Sequence, residues 1–233
     1  MRIRHSAALL GAALLLSACG GTGSSNAALD TDDQKASYGI GLDMGRSLEP
    51  AKGRLDMPAF TKGVQDAMSG AEPALADSVI QAALQAFSQS VMEAQQAEQT
   101  AAADRNKTEG EAYLAENGAR EGVITTDSGL QYEVLREGDG PRPTADDQVS
   151  VNYKGTLIDG TQFDSSYDRG EPVVFQVGGV IAGFSEALLL MPVGSHFRVV
   201  IPGNLAYGPQ GAGGEIGPNA TLIFEIELLD IVE

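Results

Sequence analysis

The sequence predicts an α+β protein: an N-terminal all-α segment running into a long spacer helix, then a C-terminal, mostly antiparallel sheet with one short helix laid across it. Three observations carry this prediction. Apolar residues recur at intervals of three and four as far as residue 94 and then give way to Ala, Glu and Gln. After Asn117-Gly118 the apolar pattern switches to period two. One apolar helical stretch, "AGFSEALLLM" (182–191), interrupts the strands that follow. With 233 residues, 42% of them hydrophobic, the chain has room for one large domain or two modest ones.

Residues 1–18 read as a secretion signal. Arg2 and Arg4 form a short basic region, and "AALLGAALLLSA" (7–18) is a small-apolar run too short to span a membrane. It ends in "LSAC" (16–19), which resembles a bacterial lipobox. That resemblance implies cleavage before Cys19 and lipid on its thiol and amine, hence a membrane anchor on the cell envelope. The other reading is a cut after Ala18 that leaves Cys19 free. Residues 19–29 are Gly/Ser/Ala-rich and read as a flexible tether. The whole chain carries a formal charge of −17; removing Arg2 and Arg4 leaves 13 basic against 32 acidic side chains, a formal −19. Such a surface repels phosphate, so nucleic acid is excluded as a partner, as is direct adsorption on an anionic membrane face. Past the signal, His196 is the one remaining histidine and Cys19 the one cysteine. No Cys–His mechanism or closed His/Cys zinc site follows from that inventory, and no metal or cofactor is expected.

The helices have recognisable ends. "TDDQ" (31–34) fits a capping box, and Thr31–Leu48 carries Tyr38, Ile40, Leu42, Met44 and Leu48 at roughly helical spacing. Gly39, Gly41 and Gly45 weaken that helix but would let a second helix come close. Asp56 caps a second helix, with Leu55 and Phe60 as its staple, ending near residues 69–70. A third follows Pro73, with Val79, Ala83, Phe87 and Val91 spaced by four. Read through from 74 to 117 it is roughly 65 Å long. Beyond Ala94 it has almost no large apolar residue and nothing to pack on, which suits a rigid spacer. The alternative is a broken or disordered linker, with Gly110 as the break.

The strands sort the candidate side chains by face. Val149, Val151, Tyr153 and Leu157 point inward, as do Phe197, Val199 and Ile201, and Leu222, Phe224, Ile226 and Leu228. Asp159-Gly160 marks a hairpin turn. "DGTQFDSSYDRGEP" (159–172) has the look of hydrolase material, with Ser165 and Ser166 as nucleophiles. His196, however, falls with Arg198 on the opposite face as a solvated residue, so those serines lack an activator. The inward face instead collects Tyr153, Phe163, Phe175, Phe184, Tyr207 and Phe224. Pattern alone leaves two readings of that set: plain core packing, or an aromatic-walled pocket with a polar rim.

"VSVNYKGTLIDGTQFDSS", "GFSEALLLMPVGSHFRVVIP", "LAYG" and "IGPNATLIFEIELLDI" together resemble an FKBP-type peptidyl-prolyl cis-trans isomerase over about residues 120–233, which implies an isomerase domain at 118–233. "SYGIGLDMGRSL" and "FTKGVQDAMSG" resemble the N-terminal segment of the macrophage infectivity potentiator-like subgroup of bacterial lipoproteins. The resemblance implies an FKBP-like sheet and a homodimer through residues 30–70. It also implies that residues 30–117 act as dimerisation segment and linker helix. The expected activity is rotation of X–Pro bonds in unfolded or nascent extracytoplasmic polypeptides, lipid-anchored at the outer membrane or in the periplasm, with chaperone activity from the dimeric clamp. A holdase or binding module with weak isomerase activity is the alternative. Carried over by motif, the substrate pocket comprises Tyr153, Phe163, Asp164, Arg169, Phe175, Val180, Ile181, Phe184, Tyr207, Ile216 and Phe224. Asp164, Tyr207 and Tyr153 take the catalytic roles. Ile181 would offer a backbone N–H and Tyr207 a hydroxyl, while Asp164 and Arg169 support the wall. Phe184 stands where the family usually has tryptophan, and Val173 where an aromatic often sits.

Overall fold

The computed structural model describes residues 27–232 of the chain. The signal reading of 1–18, the lipidation of Cys19 and the tether as far as Asn26 lie outside the described residues. Two compact units part between Thr61 and Lys62.

Helix α1 (Asp32–Ser47) opens with the expected capping box: Gln34 N–H donates to Thr31 Oγ1 at 3.3 Å, and Thr31 N–H donates back to Gln34 Oε1 at 3.0 Å. It buries no residue. Helix α2 (Met57–Ser69) is capped by Asp56, whose Oδ1 accepts from Ala59 N–H at 2.9 Å. It ends at Gly70, whose φ of +68° a side chain would strain.

Helix α3 (Asp77–Gly118) runs 42 residues without a break, about 63 Å. The helix runs on through Gly110, so the alternative of a broken linker does not hold, and one expectation needs correction: the C-terminal part does have something to pack on. A Cβ at Gly110 would stand 2.3 Å from Thr221 Oγ1, so this glycine serves a close approach. The other contacts are polar: Asn106 Nδ2 donates to Pro218 O (2.8 Å), Gln131 Nε2 to Leu114 O (2.9 Å) and Asn117 Nδ2 to Gln131 Oε1 (2.9 Å). Arg198 donates to Tyr113 Oη and Asn117 Oδ1 at 2.7 and 3.1 Å. An apolar stripe is not needed where glycine and amides make the joint, which is why periodicity missed it.

Seven strands follow: β1 (Val123–Thr125), β2 (Gln131–Arg136), β3 (Gln148–Leu157), β4 (Gln162–Ser165), β5 (Val173–Gln176), β6 (His196–Ile201) and β7 (Leu222–Val232). Their order is β1-β2-β6-β7-β3-β4, and every pairing is antiparallel. β5 pairs with the first half of β3 and β4 with the second, so both share one edge. Period-two alternation holds where predicted: Val149, Val151 and Tyr153 are buried, as are Leu222, Phe224, Ile226 and Leu228. The β3–β4 turn uses Gly160 at φ +88°, with Asp159 Oδ1 accepting from Thr161 N–H at 2.9 Å. That bond, foremost, lowers the Asp159 pKa. Helix α4 (Ser166–Arg169) is a single turn after β4, and α5 (Ala182–Leu190) covers the core face. α5 sits close because Gly183 has no side chain: a Cβ there would be 2.4 Å from Ile201 Cγ2.

Candidate functional site

Between α5 and the sheet lies a cavity of about 760 Å³, within the usual range for a small-ligand site. Its walls are the rings that alternation sent inward. Phe184, from the first turn of α5, is 4% exposed and meets Phe224 edge-to-face at 5.1 Å between centroids. Tyr153, at the centre of β3, stands 5.6 Å from Phe175, 6.0 Å from Phe184 and 6.3 Å from Phe224. Phe163 of β4 closes the wall against Phe224 at 5.5 Å, also edge-to-face. The strands admit these rings because position 155 is glycine; a Cβ there would be 2.6 Å from Phe163 Cζ and 2.8 Å from Phe224 Cε1.

The rim is polar. Val180 and Ile181 come from the turn before α5, and Tyr207 from the loop after β6. The Tyr207 hydroxyl makes no hydrogen bond among the described residues. Asp164 is fully engaged: Oδ1 accepts from Arg169 Nη1 (2.5 Å) and Ser165 N–H (2.8 Å), and Oδ2 accepts a short bond from the Tyr153 hydroxyl. Arg169 Nη2 donates to that same hydroxyl at 2.8 Å, and its guanidinium carbon lies 5.5 Å from the Tyr153 ring centroid. Burial pushes the Asp164 carboxyl upward, but the bonds from Tyr153 and Arg169 outweigh it, so its pKa falls below the ordinary value. Tyr153 moves up, through burial and then its bond to Asp164. Asp164 is therefore an ionised carboxylate already accepting three internal bonds, a poor candidate for taking a proton from a ligand.

Of the sequence-predicted residues, Tyr153, Phe163, Asp164, Phe175, Val180, Ile181, Phe184, Tyr207, Ile216 and Phe224 line one cavity. Arg169 does not line it; it braces Asp164 and Tyr153 from behind. Val173 does not line it either, and packs partly buried against the core. Sequence reasoning missed Gly179 and the run Ala212–Glu215. "GPQGAGGEIG" (208–217) signals turns, and nothing in it marks a pocket wall.

Ser165 and Ser166 are 4% and 0% exposed and do structural work. Ser166 Oγ accepts from Tyr153 N–H at 2.9 Å and bonds Asn152 Oδ1 at 3.1 Å, while Ser165 caps α4 through Asp168 N–H. The expectation of a solvated His196 is corrected. Its side chain is 23% exposed, Nδ1 lies 3.8 Å from Glu227 Oε1, and Nε2 is buried without a partner among the described residues. That face of the sheet is partly covered: α3 holds Arg198, and the Tyr167 hydroxyl donates to Glu227 at 3.1 Å. Burial first, then the Glu227 charge, pushes the Tyr167 pKa up to about 12.

The family model described as FKBP-type peptidyl-prolyl cis-trans isomerase matches residues 140–229, and that of the domain amino terminal to it matches 33–134. The outer membrane protein MIP of Legionella longbeachae is 44% identical over 203 residues, covering 87% of each chain. The FKBP-type 22 kDa peptidyl-prolyl cis-trans isomerase of Escherichia coli strain K12 is 46% identical, covering 87% of this chain and 97% of its own. The crystal structure of FkpA from Escherichia coli superposes with a TM-score of 0.69 at 42% identity, covering 88% of this chain and 98% of that one.

Proposed function

From the premise that the chain belongs to the FKBP-type peptidyl-prolyl cis-trans isomerases, we propose how its ring-walled cavity turns an X–Pro bond and which residues take part. The proline ring enters between Phe184, Tyr153, Phe163 and Phe224. The single observation that carries the reading is this: a ring-walled cavity whose one lining aspartate already accepts three internal hydrogen bonds.

Rotation about the peptide bond faces a barrier of ~18–20 kcal/mol because it breaks amide resonance, and X–Pro exchange takes tens of seconds or more uncatalysed. No bond to a leaving group breaks, so the reaction needs no nucleophile. A gain of about 10⁶ asks for ~8 kcal/mol of preference for the twisted amide. The twisted amide is less polar than the planar one, and apolar walls favour it. Tyr207 Oη donates to the substrate carbonyl region, and Ile181 N–H orients the chain at the start of α5. Asp164, Arg169 and Tyr153 keep the wall in shape and the field fixed, without proton transfer. A protease-coupled prolyl-peptide assay on wild type, Tyr207→Phe, Phe224→Ala and Asp164→Ala tests this. An inactive wild type would leave only the binding reading.

The second reading, a dimeric clamp that also holds unfolded chains, is supported by the helices. Tyr38, Ile40 and Met44 are 54, 65 and 44% exposed. Beyond their own helix and chain neighbours, no described atom lies within 4 Å of where a Cβ would stand at Gly39, Gly41 or Gly45, which leaves room for a close neighbour. A second copy, joined through residues 30–70, is the partner that covers this surface. Sedimentation at micromolar concentration tests the dimer. Aggregation suppression by a form starting near residue 100, which retains the α3 contacts at Asn106 and Asn117, tests the clamp. The chain acts in the bacterial envelope on proline-containing unfolded polypeptides, held by acyl groups on Cys19. Mass spectrometry of membrane-extracted protein, with Cys19→Ser as control, reads that anchor.

A further inference from the structure

The glycine-rich rim is the part of the site least able to hold itself. Gly211, Gly213 and Gly214 have φ of +64°, +76° and +56°, so ordering this stretch costs more backbone entropy than an average one. Its own backbone bonds are few: Gly211 N–H to Gly208 O at 3.2 Å, Ala212 N–H to Ile216 O at 3.0 Å, Ile216 N–H to Gly213 O at 3.2 Å, and Asn219 N–H to Gly208 O at 2.7 Å. Burial of Ile216 in the core anchors one end, and helix α3 adds a tie of its own. Asn106, 112 residues away in sequence, donates from Nδ2 to the Pro218 carbonyl at 2.8 Å. The fit leaves no slack, since a Cβ on Gly217 would stand 3.0 Å from that same nitrogen. One turn further along the same helix face, Gly110 abuts Thr221. A smaller cleft of about 270 Å³, lined in part by Asn106, Glu109 and Glu215, runs beside the joint. Glu215 also lines the ring-walled cavity, so the two share a wall.

We infer that Asn106 is a positioning residue for the isomerase pocket: docking of helix α3 holds the glycine-rich rim in the conformation that completes the proline site. The inference rests on reading the ring-walled cavity as that site. Asn106 touches no substrate; it acts through the Pro218 carbonyl on the segment that carries Ala212–Ile216. A site whose competent conformer is only partly populated loses apparent affinity by that fraction. Loosening the rim therefore weakens substrate binding more than it slows the bound amide.

The test compares full-length wild type with Asn106→Ala, Asn106→Asp, Asn106→Gln and Gly110→Ala, measuring kcat and KM on one prolyl peptide and Tm for each. Losing one neutral hydrogen bond predicts a KM rise of about two- to tenfold for Asn106→Ala, with kcat little changed. Asn106→Asp is at least as impaired, because a carboxylate then faces a carbonyl oxygen. Asn106→Gln keeps an amide donor and recovers part of the loss. Gly110→Ala, which levers the helix off Thr221, gives the same KM shift with Asn106 intact. An unchanged KM in Asn106→Ala and Gly110→Ala, beside an active wild type, overturns the inference. So does a loss of kcat and Tm without a KM change, which marks a plain structural role. An inactive wild type instead overturns the underlying reading of the cavity.

Discussion

Gly155→Ala puts the ring wall to a direct test. The new methyl would stand 2.6 Å from Cε2 and Cζ of Phe163 and 2.8 Å from Cε1 of Phe224, against the 3.4 Å where ordinary contact begins. Both rings must retreat by several tenths of an ångström, and since both line the cavity their way out leads into the site itself. Phe224 is 5% exposed and already edge-on to Phe163 at 5.5 Å and to Phe184 at 5.1 Å. Overpacking of this kind costs about 1–3 kcal/mol. Position 155 does not have positive φ, so alanine also trims the entropy of the unfolded chain, a gain of about 0.4–1 kcal/mol. The net loss runs from about 0 to about 2.6 kcal/mol in urea unfolding followed by circular dichroism. Activity falls further than stability, because reacting geometry is sensitive to shifts of this size; kcat/KM on a prolyl peptide drops at least about tenfold. A destabilised variant with wild-type kcat/KM would refute the claim that the Phe163–Phe224 contact shapes the site.

Three further predictions concern polar groups. Asp164→Ala reduces turnover; the screened pair with Arg169, roughly two-fifths exposed, adds little to stability, and the loss of about 1–3 kcal/mol comes from leaving the Ser165 N–H and the Tyr153 hydroxyl without their acceptor. In wild type the folded Asp164 pKa lies below its ordinary 3.8, so its contribution is present above that value and is lost only as pH falls through the lowered one. The rate profile is therefore flat through neutrality, and a bell governed by Asp164 would contradict the scheme. Ser166→Ala leaves the buried Tyr153 N–H without its acceptor and costs about 1–3 kcal/mol by chemical unfolding; a serine-reactive phosphonate should label neither protein. Tyr167 has a folded pKa raised from 10.0 to about 12, so the stability it lends is present below 10.0 and lost as pH climbs toward 12. Tyr167→Phe should remove that part of the alkaline decline, and an unchanged decline would assign it elsewhere.

Most of the sheet and the ring wall were legible because both depend on period two. Tyr153, Phe224 and Phe197 sit where alternation placed them, and Asp159-Gly160 makes the turn its dipeptide announces. What escaped had no apolar period. β1 is three residues long and α4 four, too short for any period to register. The rim segment Ala212–Glu215 is mostly glycine, a residue that reports backbone freedom and says nothing of what the backbone borders. The docking of α3 rests on two amides, a tyrosine and a missing side chain. Each finds its partner across a long stretch of sequence. His196 was placed on the correct strand, but which element covers its face is a tertiary fact that no local pattern encodes.

Helix α3 also sets a rule for how this chain can change length. From Met92 to Ala101 every residue is exposed, so nothing but the helix itself occupies that stretch. Insertions there would sacrifice no packing. Each added residue, however, advances one end of the helix by about 1.5 Å and turns it by about 100° relative to the other. One extra residue would swing the Asn106–Gly110 face out of phase with Val79 and Leu84; seven or eleven would restore it to within about 20°. The spacer thus behaves as an indexed shaft, on which viable lengths come in discrete steps.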